Sequence, residues 1–430
     1  MKKEKRIYFI LDDEIMKILA RTDKIIYQKL LLFFSLFSIL ILGCSDSTGP
    51  GNNQGPNIEW QKSFGGENRD WAYSALQTFD GGLIIAGMIE KRYDDYFEIG
   101  IIKLNHSGNI VWQNSVHVTE YIYHASVQEK DDGGYIVVSN SQNDIICINL
   151  SKDGSILNTK YFGGSWSDEA CSIQKTKDGG FIIAGTSGST NLPNHHEYGD
   201  IYLLKLSSNL NMEWHRCYGG NSSDEAADIR QTLDGGYIIA GFSQSSDGDL
   251  TPNHGSSDVW IFKIDQSGNI QWQRSYGGSE WDEVASIDIT TDGGYIFAGR
   301  TSSDDGDVIG NTINTVCWTV KLDVNGEIEW QKCLENDLNN SWAMGNSIMQ
   351  TLDGGYIMAA SHAAADFWIV KFNSKGNIEW QKSIGGKGSE EPKSIIQTSD
   401  GGYIVAGAST SGDAGISNNG LFDMWIVKLK

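Results

Sequence analysis

The sequence predicts an all-β fold, a seven-bladed β-propeller of four-stranded blades, on three observations. The triplet Asp-Gly-Gly recurs seven times, with its Asp at 80, 132, 178, 234, 292, 353 and 400, and an Ile stands four residues after each Asp. The segments around these triplets are short runs of β-branched and aromatic residues bounded by turn residues, and no useful helical periodicity follows residue 57. The ends are out of phase by one strand: the repeats open on a fourth strand at 58–63 and close on a third at 424–429. A ring in which the N-terminal strand completes the last blade uses both ends and leaves no raw sheet edge.

Within each repeat the first strand, such as 394–398, runs into the Asp-Gly-Gly turn, where glycine supplies the positive φ of a tight hairpin. Six residues before the Asp stands Ser74, Ser126, Ser172, Asp228, Ser286, Ser347 or Ser394. A second strand follows at once, as in 403–407. A variable loop leads to the third, as in 425–429, and a second turn, such as 265–269, to the fourth. Trp60, Trp112, Trp214, Trp272, Trp330 and Trp380 stand in fourth strands, where blade two has Asn158. Trp260, Trp318, Trp368 and Trp425 stand in third strands, and these ten rings suit packing between blades. A Lys recurs in six third strands, at 103, 205, 263, 321, 371 and 428, and is read as structural, its stem on apolar surface and its amine reaching water.

The chain divides into a leader at 1–43, a tether at 44–57 and the propeller at 58–430. Residues 30–42 are apolar except for Ser35 and Ser38, too few to span a bilayer comfortably but suited to a signal peptide. The run ends Ile41-Leu42-Gly43-Cys44, and this segment resembles a bacterial lipoprotein signal, which implies that Cys44 becomes the lipidated first mature residue. Leu42 departs from the smaller residue usual in that family, and the start is open between Met1 and Met16. Residues 45–57, rich in Ser, Gly, Pro and Asn, suit a flexible tether. Ser45 beside the Cys favours the outer membrane or cell surface by analogy with that family. The alternative is a plain cleaved signal or N-terminal anchor.

Of the 430 residues 50 are Gly and only 5 Pro, and 11% are aromatic, which excludes disordered and collagen-like chains. The net charge of -22 excludes nucleic-acid binding by a basic surface. The leader's net charge of +3 leaves about -25 on the remainder, so adhesion to anionic headgroups is disfavoured and the lipid must anchor.

The repeat Asp-Gly-Gly-Tyr-Ile, as at 292–296 and 400–404, resembles that of bacterial lipoproteins and secreted proteins whose repeats are treated as propeller blades. A weaker likeness is to quinoprotein-type propellers, through Gly268 with Trp272 and Gly326 with Trp330. Those have eight blades and a longer turn, so quinone binding is not implied. At about 53 residues, the blade approaches kelch length. The resemblance supports shape rather than activity.

The long second-to-third loops (186–199, 242–257, 300–314 and 408–422) share one face with the loops that cross between blades, and ligand-binding residues are expected there. Blades two and six have short ones. Trp71, Trp166, Trp281 and Trp342 fall on the crossing loops, beside Asp70, Asp168, Asp224, Asp282 and Glu390 at one recurring position. Exposed rings beside carboxylates suit a sugar surface, with rings stacking and acids accepting hydroxyl hydrogen bonds. Alternatively each Asp caps its own loop and each Trp packs beneath it. Asp247 and Asp249, and Asp304, Asp305 and Asp307, are candidate calcium ligands, although neither loop has a known twelve-residue pattern. His195-His196-Glu197 lacks a third zinc ligand with diagnostic spacing. No cofactor other than calcium is expected. Cys317 and Cys333 lie on adjacent strands and could face each other across the hairpin, with a disulfide between them left open, and the odd count of Cys147, Cys171, Cys217, Cys317 and Cys333 leaves at least one free. No nucleophile elbow, phosphate loop or paired acid/base signature is present.

The sequence therefore predicts a monomeric, lipid-anchored envelope propeller that binds glycan or protein through its loop face. The alternatives are an envelope scaffold recognised by protein contact alone, and a hydrolase or lyase using the loop-face acids.

Overall fold

The second and third strands of each repeat are nearly continuous apolar runs, such as Tyr237–Ser243 and Asp258–Ile264. Strands covered on both faces read this way, and here each blade is covered by its two neighbours. The computed structural model describes residues 55–92, 96–250, 253–312, 315–335, 342–362 and 366–430. It contains seven four-stranded antiparallel sheets, six of them in chain order. The first blade is Asp70–Gln77, Leu83–Arg92, Tyr96–Leu104 and Ile110–Val118. The last is Glu390–Gln397, Tyr403–Ser409 and Asp423–Leu429, completed by Ile58–Phe64, which pairs with Asp423–Leu429. Inner strands of successive blades touch all the way round, including the last with the first. The fold is the expected seven-bladed propeller, closed by its N-terminal strand. The expected leader and Cys44 lie outside the described residues.

Three features tie neighbouring blades. The recurring inner-strand serine accepts a backbone N–H across the junction: Ser126 from Ile173 at 3.4 Å, Ser286 from Ile348 at 3.3 Å, Ser347 from Ile395 at 3.2 Å and Ser394 from Ala75 at 3.4 Å. A glutamine ending the inner strand caps the hairpin of the preceding blade, as when Gln231 accepts the Lys177 N–H at 2.8 Å and Gln350 the Thr291 N–H at 2.7 Å. The outer-strand tryptophans lie against the second-strand tyrosine of the following blade, with centroids 5.6–6.3 Å apart for Trp112, Trp214, Trp272, Trp330 and Trp380.

The structure corrects three expectations. Inner strands begin about four residues earlier than expected, at Glu390 rather than 394, because a bulge between Pro392 and Ser394 carries the pairing onward. Five other blades have the same bulge. The recurring acids therefore open inner strands instead of lying in loops. The third-strand lysine amines do not reach water: Lys103, Lys205, Lys263, Lys321, Lys371 and Lys428 are buried, and each Nζ lies 2.5–3.0 Å from the hairpin aspartate of its own blade. Finally, all five described cysteines are free. Cys333 stands opposite Trp318 and Cys317 opposite Leu334, so one residue of offset puts the two thiols on opposite faces of the sheet.

Candidate functional site: the loop face

The crossing loops are held by the acids that open the inner strands. Asp224 Oδ2 accepts the Gly220 N–H at 2.8 Å and the Ser245 hydroxyl at 2.9 Å, and Oδ1 accepts the Ser243 hydroxyl. Ser245 in turn accepts the Ser222 N–H at 2.9 Å. Asp282 repeats the arrangement with Gly278, Thr301 and Ser303, and Glu390 with Gly386, Ser409 and Ser411. Asp168 uses Gly164 and Ser189, and Asp70 uses Gly66 and the Glu90 amide. All five are 0% exposed. Burial first, then neighbouring charge, lifts Asp70 and Asp224 to about 6 against the hydrogen bonds that lower them. In this arrangement Asp70, Asp168, Asp224 and Asp282 offer no surface oxygen to a sugar hydroxyl; they cap their loops.

The four loop-face tryptophans divide. Trp166, Trp281 and Trp342 are 66%, 44% and 49% exposed. Trp71 is 9% exposed, because it lies in an inner strand with Phe422 at 4.8 Å and the Lys393 amine 5.2 Å from its ring centroid. The Trp166 N–H donates to Ser189 Oγ at 2.9 Å, so this exposed ring rides on a backbone fixed from the next loop.

The candidate calcium loops also serve the crossing segments. Asp247 accepts the backbone N–H and the side-chain amide of Asn221, both at 2.8 Å, and Asp305 accepts the Ser279 N–H at 2.7 Å. Asp249 and Asp307 donate their backbone N–H groups to Gly219 and Gly277 at 2.9 Å, while Asp304 is exposed. Among the described residues no three His, Cys, Asp or Glu side chains gather to hold a metal ion. His196 bonds Asp200 at 3.0 Å and His195 the Ser187 carbonyl at 2.9 Å.

A central cavity of about 650 Å³ is lined by Tyr73, Tyr123, His124, Phe242, Met344 and Lys393, among others. Tyr73 donates to the Ile122 carbonyl at 2.8 Å. The protein around the cavity and the Lys393 charge both lower the His124 imidazole, although its ring is exposed to the solvent of the cavity. Tyr121, Tyr123 and His124 were not singled out from the sequence. The available signal was the break in the repeat at 119–125, where Gly-Gly and the recurring acid are both missing.

No family model matches the chain, and no curated protein matches it. Solved structures do resemble it. Drosophila Plexin A in complex with Semaphorin 1b is 8% identical, with 87% of each chain covered and a TM-score of 0.50. A protein from Lactobacillus plantarum is 10% identical, with 79% of this chain and 98% of that one covered at 0.50. BamB from Moraxella catarrhalis is 13% identical, with 86% and 99% covered at 0.44. At these identities the likeness concerns the fold alone.

Proposed function

We propose that the chain is an envelope-tethered binding module that grips polysaccharide on its loop face. The observation that carries this reading is the exposure of Trp166, Trp281 and Trp342, the first two on crossing loops held by Asp168 and Asp282. A large ring left in water forgoes the gain of burial, and a rigid aromatic surface on a loop platform suits stacking against sugar rings. The tether reading is compatible with the ring: Asn57 bonds Lys430 at the start of Ile58–Phe64, the end of that strand on the hairpin side.

The test uses the soluble chain from Ser45 on a polysaccharide panel, with calcium and with chelator. Selective retention is expected, and Trp166→Ala and Trp281→Ala should abolish it while changing the melting temperature little. Early unfolding of both variants would make those rings packing elements. Silence of the parent chain under both conditions, with a protein captured instead, would favour the scaffold reading.

A further inference from the structure

The acids of the blade junctions come in twos. Asp70 meets Asp423, Asp168 meets Asp144, Asp224 meets Asp200, Asp282 meets Asp258 and Glu390 meets Asp366; in each case one acid opens an inner strand and the other precedes or opens the third strand of the blade before it. One glycine borders both acids of each pair. A side-chain carbon on Gly65, Gly163, Gly219, Gly277 or Gly385 would stand 2.2–2.8 Å from an oxygen of each acid. At the junction after the fifth blade both positions are apolar, Val316 and Ala343, and at the junction after the first Glu98 takes the third-strand position opposite Ile122 and pairs instead with Lys91 at 3.7 Å.

The oxygens are also left short of donors. Asp200 Oδ2 takes the His196 N–H, Asp258 Oδ2 the His254 N–H and Asp423 Oδ2 the Asn419 N–H. The Oδ1 atoms of Asp200, Asp258 and Asp423, and that of Asp168, are buried without a hydrogen-bond partner. Two ionised carboxylates in such a place repel one another and leave acceptors unpaired; one proton removes the repulsion and supplies the donor.

We infer that each of these five pairs holds one proton in common, so that the blade junctions and the crossing loops they cap are tightest in mild acid and loosen as those protons leave. The environment agrees in direction. Burial first, then like charge where it is near, raises Asp144, Asp200, Asp258, Asp282, Asp366 and Asp423, as well as Asp70 and Asp224. The charged and titratable groups facing the pairs are His195 and His196 at Asp200, His254 at Asp258, Lys91 and Glu90 at Asp70, Tyr202 and Cys217 near Asp168, and Cys333 near Asp282. The remaining contacts are hydroxyls, amides and Asn419.

The sign follows from linkage. A carboxyl raised above its unfolded value of about 4 contributes stability that is complete below that pH and is lost as pH rises through the folded value, about 6 for Asp70 and Asp224. The hairpin acids act in the opposite sense. Burial raises Asp80, Asp178 and Asp234, but bonds from Thr, Lys and backbone amides outweigh it and hold them at about 2, so their contribution is lost only as pH falls through that value. Between about pH 4 and pH 7 the junction pairs titrate without them.

The test is melting of the parent chain and of Asp200→Asn with Asp258→Asn, in chelator, at about pH 5 and about pH 8. An asparagine has the shape of the protonated acid: its amide N–H can face Asp224 or Asp282 while its oxygen keeps the His196 or His254 N–H. The parent should melt higher at pH 5 than at pH 8, and the double variant should narrow that gap by melting at or above the parent at pH 8. An infrared band of protonated carboxyl should be present in the parent at pH 5 and gone at pH 8, a readout that needs no variant. A flat parent profile with no such band, or variants that fall equally at both pH values, would overturn the inference. So would calcium restoring the pH 8 melting temperature as fully as acid does, since the pairs would then hold a cation. Neither outcome bears on polysaccharide retention.

Discussion

Beside the Cα of Gly219 the space for a side chain is taken by Asp200 Oδ1 and Asp224 Oδ2, 2.6 and 2.5 Å from where a Cβ would stand. Both acids are buried and bound to loop amides or hydroxyls, so neither can swing away without breaking its bonds. Gly219→Ala is therefore expected to cost about 2–3 kcal/mol by overpacking. At Gly188 the nearest atom to an added Cβ is the Ser167 carbonyl oxygen at 3.5 Å, an ordinary contact. Gly188→Ala should stay within about 0.5 kcal/mol of the parent. Urea unfolding of the two variants measures the difference, and equal costs would mean that the acids yield where the geometry says they are held.

Blade two is the repeat's own substitution experiment. In six blades a threonine hydroxyl and a third-strand lysine both reach the hairpin aspartate, as Thr290 and Lys321 reach Asp292. In blade two the threonine position is Lys130 and the lysine position Asn149, and Lys130 pairs with Asp132 at 3.2 Å. The ammonium occupies the same place by another route. A Cβ on Gly134 would meet Lys130 Nζ at 2.9 Å, as one on Gly294 would meet Lys321 Nζ at 2.7 Å. Asn149 Oδ1 is left buried without a partner. Lys130→Thr alone removes the cation, and Asn149→Lys alone crowds two ammoniums into one site. Each single change should cost about 1–2 kcal/mol and the double variant should recover most of it. A double-mutant cycle by chemical denaturation checks this; additive losses would show the two positions do not substitute for one another. The example also shows what the sequence made legible. Seven triplets, their isoleucines and the unequal ends give blade number and closure, because a period repeats the same information seven times. The lysine's partner was not legible, because Lys321 and Asp292 recur with one period and spacing alone does not say that their side chains meet. The acids were misplaced into loops because the bulge before the inner-strand serine leaves no mark in the alternation. Burial of Trp71 depends on Phe422 and Lys393, which come from the far end of the chain.

For the whole molecule, the seam between Ile58–Phe64 and Asp423–Leu429 is the one place where a blade is assembled from both chain ends. The ring closes through this seam together with the packing of Asp70–Gln77 on Glu390–Gln397, Tyr403–Ser409 and Asp423–Leu429, so the cooperative unit depends in part on the seam. Removing Ile58–Phe64 bares the ladder of Asp423–Leu429, whose residues are buried throughout, and uncovers an edge able to pair with another chain. It also removes Trp60, which covers Gly108 of the first blade, and Phe64, which packs in the cluster with Met424 and Ile426. A chain beginning at Gly65 is therefore expected to melt lower, to lose the single sharp transition of the closed ring and to elute partly as a dimer. A peptide spanning residues 56–65 should restore the monomer and raise the melting temperature, because it supplies the missing strand without the covalent link. If the truncated chain melts like the parent, closure is a matter of geometry alone. If the peptide fails to bind while the truncated chain stays monomeric, the last blade has closed its own edge with three strands.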